Sequence, residues 1–534
     1  VKATLETAMS AAPAPFASLA AALEAIVGRE GVTSDIDARR ACSADVYSAG
    51  ATCAAVLSPT DRHALAAAVK LLAEAGYALI PRGGGMTYTG GYTPPHERSV
   101  IVDTSRLDRI VEVSAEDMFI TVEAGVTWKR IHETLAPLGL RLPFFGTFSG
   151  ARATVGGGLS NGALFHGTGR YGTGADGTLG LEVLLADGSL LRTGQAGFGG
   201  RPFYRTYGPD LTGLFLHDGG AFGIKVEATL RLIRTPAEAG FASFAVPDIE
   251  HAALLLSEIC RSGVAEETYV FDPASTRKNL EGVELGQAFK TLGGVIKGQS
   301  SWLKGLKDGA RLVAAGRRFV PEEAYSVHVT CAGRCAAAVA TDLATCREIA
   351  AGLGAAEIPN SIPMAVRGNP FPPPQALGNE GERWAALNAK VAHSDALALV
   401  REAEALLAGH GTAMQAAGVW MSRLLIGLSN HAFSYEPVFH WRDEWLPIHR
   451  ATAEPATLAR YPEPPPDPAA RALVHQLRGE MIELFGRHGA ASNQIGRSYP
   501  WLDAAQPATR RLIESLKRGL DPRGVMNPGV LGLA

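Results

Sequence analysis

One run of residues, Pro81-Arg-Gly-Gly-Gly-Met-Thr-Tyr-Thr-Gly-Gly91, constrains this chain more than any other. It follows Ala78-Leu-Ile80, an apolar triplet that predicts a buried strand, and it places five glycines around Arg82, Thr87 and Thr89. Successive glycines let backbone N–H groups converge on an anionic oxygen without Cβ clashes, and the hydroxyls add donors. The residues alone leave two readings open, a polar tight turn and a phosphate cradle. The spacing is a triple followed by a pair, not GxGxxG, and no acidic residue follows a second parallel strand where a nicotinamide dinucleotide site needs one.

The glycine signal extends beyond this loop, with 12 glycines between Arg141 and Gly180 and no collagen-type period. Such density marks positions of positive φ or of close backbone approach to a ligand. Around these loops the patterns alternate. Asp61 to Ala75 predicts a helix capped by Thr60; Val100–Asp103 and Phe119–Ala124 predict strands; Trp128–Leu138 predicts a helix. Leu181 to Thr193 reads as a hairpin turning at Asp187-Gly188, and Gly223 to Ile233 as the strand that closes this unit. The middle of the chain pairs helices, His251–Ser262 and Gly333–Gly352, with strands, Glu267–Phe271 and Ala324–Thr330. That predicts an antiparallel sheet covered by helices, with proline-rich surface loops at Pro370–Pro374 and Pro462–Pro468. Thr509–Gly519 predicts an amphipathic helix stopped by Gly519. The expected class is α+β.

The 534 residues are 46% hydrophobic, enough for sizeable cores, and 19% charged with a formal net charge of −3. No basic run resembles a nucleic-acid footprint, so a small-molecule substrate fits better. Val1–Gly28 shows no charged segment followed by a clean apolar one, and no stretch predicts a spanning helix, so the cytoplasm is the expected location. The six cysteines show no pairing pattern, and Cys331 and Cys335 read as ordinary thiols.

Four segments, in order, resemble one family. The loop at Pro81–Gly91 is similar to the PRGGGTxxTGG loop of the FAD-binding PCMH-type flavoproteins, which include vanillyl-alcohol oxidase and D-lactate dehydrogenases. Gly146–Gly162 resembles that family's second flavin loop, Pro209–Ile224 its PDLTGLF…GTLGI segment, and Asp521–Gly529 its DPxGxxNPG tail. The resemblance implies a two-lobed FAD-binding domain at 1–235, an inserted cap holding the substrate at 236–489, and a C-terminal segment at 490–534 completing the FAD site. It implies cofactor contacts from Arg82, Gly83, Gly84, Gly85, Met86, Thr87 and Gly90, then from Thr154, Gly156, Gly157, Gly158 and Ser160. Gly223, Ile224 and Asn527 complete the implied set. Some relatives tether FAD through a histidine of the first loop; Met86 and the lack of histidine in 81–91 count against that here.

The cap carries the chemistry. Asn430–Asp443 read as a strand puts His431, Tyr435, Phe439 and Trp441 on one face and Ser434, Glu436, Val438, His440 and Arg442 on the other. Pro437 predicts an edge position or a bulge. Asn493-Gln-Ile-Gly-Arg-Ser-Tyr499 is similar to a QIGxxY segment of some relatives, with Arg497 suited to an anionic group. The HxGDGNxH histidines of metal-dependent relatives are missing, so no metal is expected. The reading is hydride transfer from an alcohol carbon to FAD, with His440, His431 and Tyr499 as base candidates and Arg497 as anion holder. The leading substrate is a D-2-hydroxy acid such as D-lactate. A para-substituted phenol oxidised through a quinone methide is the rival, and a non-catalytic binding protein the alternative from another class. Electron acceptor (oxygen, quinone or carrier protein) and oligomeric state, a homodimer included, stay open.

Overall fold

The computed structural model describes residues 15–276, 323–373 and 375–534. The expectations for residues 1–14 and for Pro374 lie outside the described residues. Among the described residues three larger sheets and one two-stranded pair, Leu140–Arg141 with Ile233–Arg234, build the molecule.

The first sheet has the strand order Val32–Thr33, Ala55–Leu57, Ser99–Asp103, Ala78–Arg82. Its last three strands pair in parallel, with Ile80 opposite Ile101, because the helix Arg62–Glu74 carries the chain back between Ala55–Leu57 and Ala78–Arg82. That helix is capped by Asp61 rather than Thr60: the Asp61 carboxylate accepts from His63 N and Ala64 N, both at 2.9 Å. The second sheet is antiparallel, in the order Ile110–Ser114, Phe119–Glu123, Ile224–Arg231, Thr178–Leu184, Leu190–Arg192. Ile224–Arg231, the last strand of this sheet along the chain, is thus its central strand. Ala228 pairs with Val122 on one side and Leu181 on the other, which an eight-residue strand buried on both faces suits. The hairpin turns with Gly188 at φ +87°, where a side chain would be strained.

The third sheet is wholly antiparallel, running Ala356–Ile358, Glu238–Val246, Tyr325–Gly333, Glu267–Phe271, Trp420–Leu428, Ala432–Trp441, Arg383–Ala386, with Ala389–Val391 also on Ala432–Trp441. Helices Ile249–Ser262, Ala336–Gly352, Ala396–Gly409 and Pro468–Arg487 add their buried apolar stripes to the same core. In Ala432–Trp441 the odd residues Phe433, Tyr435, Phe439 and Trp441 are buried in this core, while the even ones face away from it, as alternation requires.

Pro437 is neither on an edge nor in a bulge. Its strand is flanked by Trp420–Leu428, where it lies opposite Arg423, and by the other flank exactly where Arg383–Ala386 stops and Ala389–Val391 has yet to begin. Leu387 N donates to Pro437 O at 3.0 Å, but proline returns no N–H, so the flanking ladder breaks into two short strands.

The tail returns to the first sheet. Its helix spans Pro507–Leu520, so Gly519 lies inside it and the stop falls at Asp521. Leu79 N then donates to Val525 O at 2.7 Å and Asn527 N to Leu79 O at 2.9 Å, setting the tail beside Ala78–Arg82. Among the described residues no helix is long and apolar enough to cross a membrane. Cys331 is buried, Cys335 exposed, and all six cysteines are free thiols; a hydrogen bond with the neighbouring Cys346, and then burial, push the Cys331 thiol up.

Candidate functional site

A cavity of about 590 Å³ opens between the two smaller sheets and the large one. One wall is backbone-rich: Pro81–Tyr88, Ala153–Ser160 without Val155 and Leu159, and Gly219–Gly220 with Gly223–Lys225. The opposite wall comes from the large sheet and its loops, with Phe271, Pro372, Gln375, Trp384, Leu424, Ile426 and Glu436, plus Asn493 and Gln494.

Local chemistry explains the first wall. A Cβ on Gly83 would fall 2.2 Å from Thr154 Oγ1, and one on Gly84 would fall 2.1 Å from Arg152 O, so the two loops touch at a distance only glycine permits. Gly85 adds a φ of +67°. Gly156 and Gly158 owe their identity to packing instead, since a Cβ would strike Ala124 or the Trp128 indole at 2.8 and 2.7 Å. The loop is held from behind by Asp45, a fully buried carboxylate accepting from Gly90 N at 2.7 Å and from Ser48 N and Tyr47 N. Burial raises its pKa, against those three N–H groups. Arg478, from the helix Pro468–Arg487, donates to Tyr88 O at 3.0 Å and Ala386 O at 2.8 Å, so one guanidinium ties the glycine loop to the large sheet.

Of the residues expected to hold the cofactor, Arg82 through Thr87, Thr154, Gly156, Gly157, Gly158, Ser160, Gly223 and Ile224 all line this cavity. Gly90 and Asn527 do not. Gly90 turns the chain at φ +71° and gives its N–H to Asp45. Asn527 is fully buried and donates to Gly91 O at 2.9 Å and Gly219 O at 2.7 Å while accepting from Arg497 at 2.9 Å. It ties three loops together.

The expected catalytic set is also displaced. His440 lies directly across from Trp420 and stacks on it at 3.6 Å, with Nε2 at 2.9 Å from Ser422 Oγ and Nδ1 at 3.6 Å from Glu382. His431 is exposed at the tip of the hairpin between Leu428 and Ala432. The Tyr499 hydroxyl accepts from Asn388 N at 2.9 Å and donates to Asn388 O at 3.1 Å, and burial pushes it up to about 12. Arg497 donates to Gly90 O, Asn527 Oδ1 and Pro528 O, clamping the first loop to the tail. None of the four lines the cavity: His440, Tyr499 and Arg497 are engaged with neighbouring residues, and His431 sits out on the hairpin tip.

What stands there instead is Glu436, the one carboxylate among the described lining residues. Sequence placed it on the correct face of the strand but gave no reason to rank it above His440. Of the lining cations, Lys225 is paired with the buried Asp218 at 2.6 Å, and Arg82 belongs to the glycine wall. Among the described residues no group of three or more His, Cys, Asp or Glu is placed to hold a metal.

The glycine wall suits a dinucleotide diphosphate. Thr87 Oγ1, Thr154 Oγ1 and Arg82 Nε are buried without a partner in the protein, and all three residues line the cavity. A buried donor left unsatisfied costs about 1–3 kcal/mol, which a polar ligand at this wall relieves.

Residues 53–194 match the family described as FAD binding domain. The probable mitochondrial D-lactate dehydrogenase of Danio rerio is 33% identical over 209 residues, 39% of this chain and 41% of that protein. The glycolate oxidase subunit GlcD of Bacillus subtilis is 29% identical over 218 residues, 41% of this chain and 45% of that one. The chain thus spans under half the length of these curated relatives. Among solved structures, the 4-ethylphenol oxidase from Gulosibacter chungangensis superposes with a TM-score of 0.71 at 18% identity, over 97% of each chain. The glycine wall thus lies in a chain whose residues 53–194 match an FAD binding domain and whose fold is shared with the 4-ethylphenol oxidase.

Proposed function

We propose that this protein is an FAD-dependent oxidoreductase that takes hydride from an alcohol-type carbon, with a D-2-hydroxy acid as its leading substrate. In this reading residues 1–235 and 490–534 hold FAD and 236–489 supply the substrate wall. The observation that carries it is the composition of the cavity: unsatisfied donors and glycine backbone on one side, a shaped side-chain wall on the other. Arg82, Thr87 and Thr154 would hold the diphosphate; bound FAD supplies the hydride acceptor. The cap wall excludes water and orients the substrate through Trp384, Phe271, Leu424 and Ile426, leaving polar contacts to Gln375, Asn493, Gln494 and Glu436. The D-lactate dehydrogenase and glycolate oxidase relatives favour the hydroxy acid.

A second reading, oxidation of a para-substituted phenol, is supported by the rings around this wall. Phe148 and Phe165 lie 3.9 Å apart between centroids, and Tyr88 meets Trp384 edge-on at 5.6 Å, with all four residues lining the cavity. An anaerobic screen decides between them. FAD-loaded protein is mixed with D-lactate, glycolate, D-2-hydroxyglutarate and 4-alkylphenols, and loss of the oxidised flavin absorbance is followed. Bleaching by a hydroxy acid is expected; bleaching by phenols alone selects the second reading, and bleaching by neither removes both and leaves a binding protein.

A further inference from the structure

Resting on the oxidoreductase reading, we infer that Glu436 is the proton acceptor of the substrate hydroxyl and that Lys390, behind it on the neighbouring strand, is its positioning partner.

The placement follows from sheet register. Lys390 pairs with Ser434 across the antiparallel ladder, so Lys390 and Glu436, two residues further along the same strand face, are diagonal neighbours. Glu436 reaches the cavity. The Lys390 ammonium donates to Asn493 Oδ1 at 2.7 Å and to Asn388 Oδ1 at 3.4 Å, and Asn493 itself lines the cavity. Asn388 Oδ1 also accepts from Asn493 N at 2.9 Å, so the break in the ladder opposite Pro437 is where this polar group is assembled. Beside it Gln494 Oε1 is buried without a partner in the protein, an acceptor on the cavity wall.

The electrostatics agree with that geometry. Burial raises Glu436 to about 7, with Lys390 pulling it down. Burial lowers Lys390 to about 7, with Glu436 pulling it up. Each therefore sustains the charge of the other, and a carboxylate that titrates near neutrality is matched to removing a hydroxyl proton at neutral pH. The other titratable groups whose charge couples to Glu436 are Tyr88 of the first loop and Tyr499, both raised by burial and hence neutral, with Arg478 acting on both tyrosines. In the step itself the substrate O–H bond breaks and its proton goes to Glu436. The oxygen lone pair becomes the new C=O bond as the C–H bond breaks, and hydride leaves with its electron pair to the FAD of the holoenzyme. Glu436 then holds one proton, which the carboxylate gives up above pH about 7.

The test uses FAD-loaded protein with the compound that bleaches it. Glu436→Gln is expected to slow flavin reduction by about 10²–10⁴-fold while FAD stays bound. The wild-type reduction rate falls on the acid side of pH about 7. Lys390→Met raises the Glu436 pKa by removing a cation and moves that limb upward by about one pH unit or more, whereas Lys390→Arg, which keeps the charge, leaves it in place. A wild-type rate in Glu436→Gln, or an unmoved limb in Lys390→Met, overturns the assignment. Infrared titration of the oxidised holoprotein gives a readout independent of turnover. A protonated-carboxyl band should grow as pH falls through about 7 and be missing from Glu436→Gln. If no compound bleaches the wild type, the oxidoreductase reading fails on its own; if the infrared band is missing, this inference fails whatever the substrate.

Discussion

At the scale of single residues, Gly84 shows how little freedom the cofactor wall has. Its missing Cβ would sit 2.1 Å from Arg152 O, a backbone atom that cannot swing aside. Gly84→Ala should fold, because the large core lies elsewhere, yet be purified with far less FAD; a full complement of bound flavin in that variant would refute the contact. Asn527 makes the opposite case, a residue off the cavity wall whose side chain ties two loops. Asn527→Ala strands two buried carbonyls, Gly91 O and Gly219 O, and should cost about 1–3 kcal/mol in urea unfolding. Glycine loops were legible in the sequence because a backbone approach is written in the local residues. Glu436 was not, since its role depends on residues 388, 390 and 493 arriving beside it. His440 misled for the same reason: a histidine has the right chemistry anywhere, but Trp420, from the preceding strand, covers this one.

At the scale of elements, most helices and strands were readable from period and caps, whereas pairing order was not. The strand at Ile224–Arg231 comes last along the chain among those of its sheet and sits in the middle of it, because order in space is set by which apolar faces find one another. Pro437 gave a true local signal, a missing N–H, and the sheet met it by breaking the neighbouring strand. The end of that same strand carries a buried ionic knot. Asp443, fully buried, accepts from Arg383 Nη1 at 2.8 Å, Arg471 Nε and Nη2 at 2.8 Å, and Asp467 N at 2.8 Å. Asp443→Ala would leave Arg383, itself buried, without its carboxylate, and should cost about 3–5 kcal/mol in denaturant unfolding. A loss below about 1 kcal/mol would mean that the arginines find other partners.

At the scale of the whole molecule, stability should fall with acidification well before the ion-paired Asp443 protonates. Burial lowers His328 and His449 to about 3, so both are neutral in the folded state while the unfolded chain takes up protons below its ordinary 6.5. Protons bound preferentially by the unfolded chain destabilise, at about 1.4 kcal/mol per pH unit for each histidine between 6.5 and 3. Asp443, held down to about 2 by Arg471 and Arg383, contributes stability above 3.8 that disappears only as pH falls through about 2. The urea midpoint should therefore drop steadily from pH 6.5 to 4.5, and a flat profile over that range would contradict the buried neutral histidines.

The pairing of Leu79 with the Val525–Asn527 segment adds a constraint in time. A ribosome delivers the glycine loop early and the segment that braces it late, and a contact between such distant residues pays its closure entropy last. Flavin capture is thereby a check that this bracing segment has been made: colour should appear only after residues 525–527 have left the ribosome, and a nascent chain stalled before them should stay colourless however much FAD surrounds it.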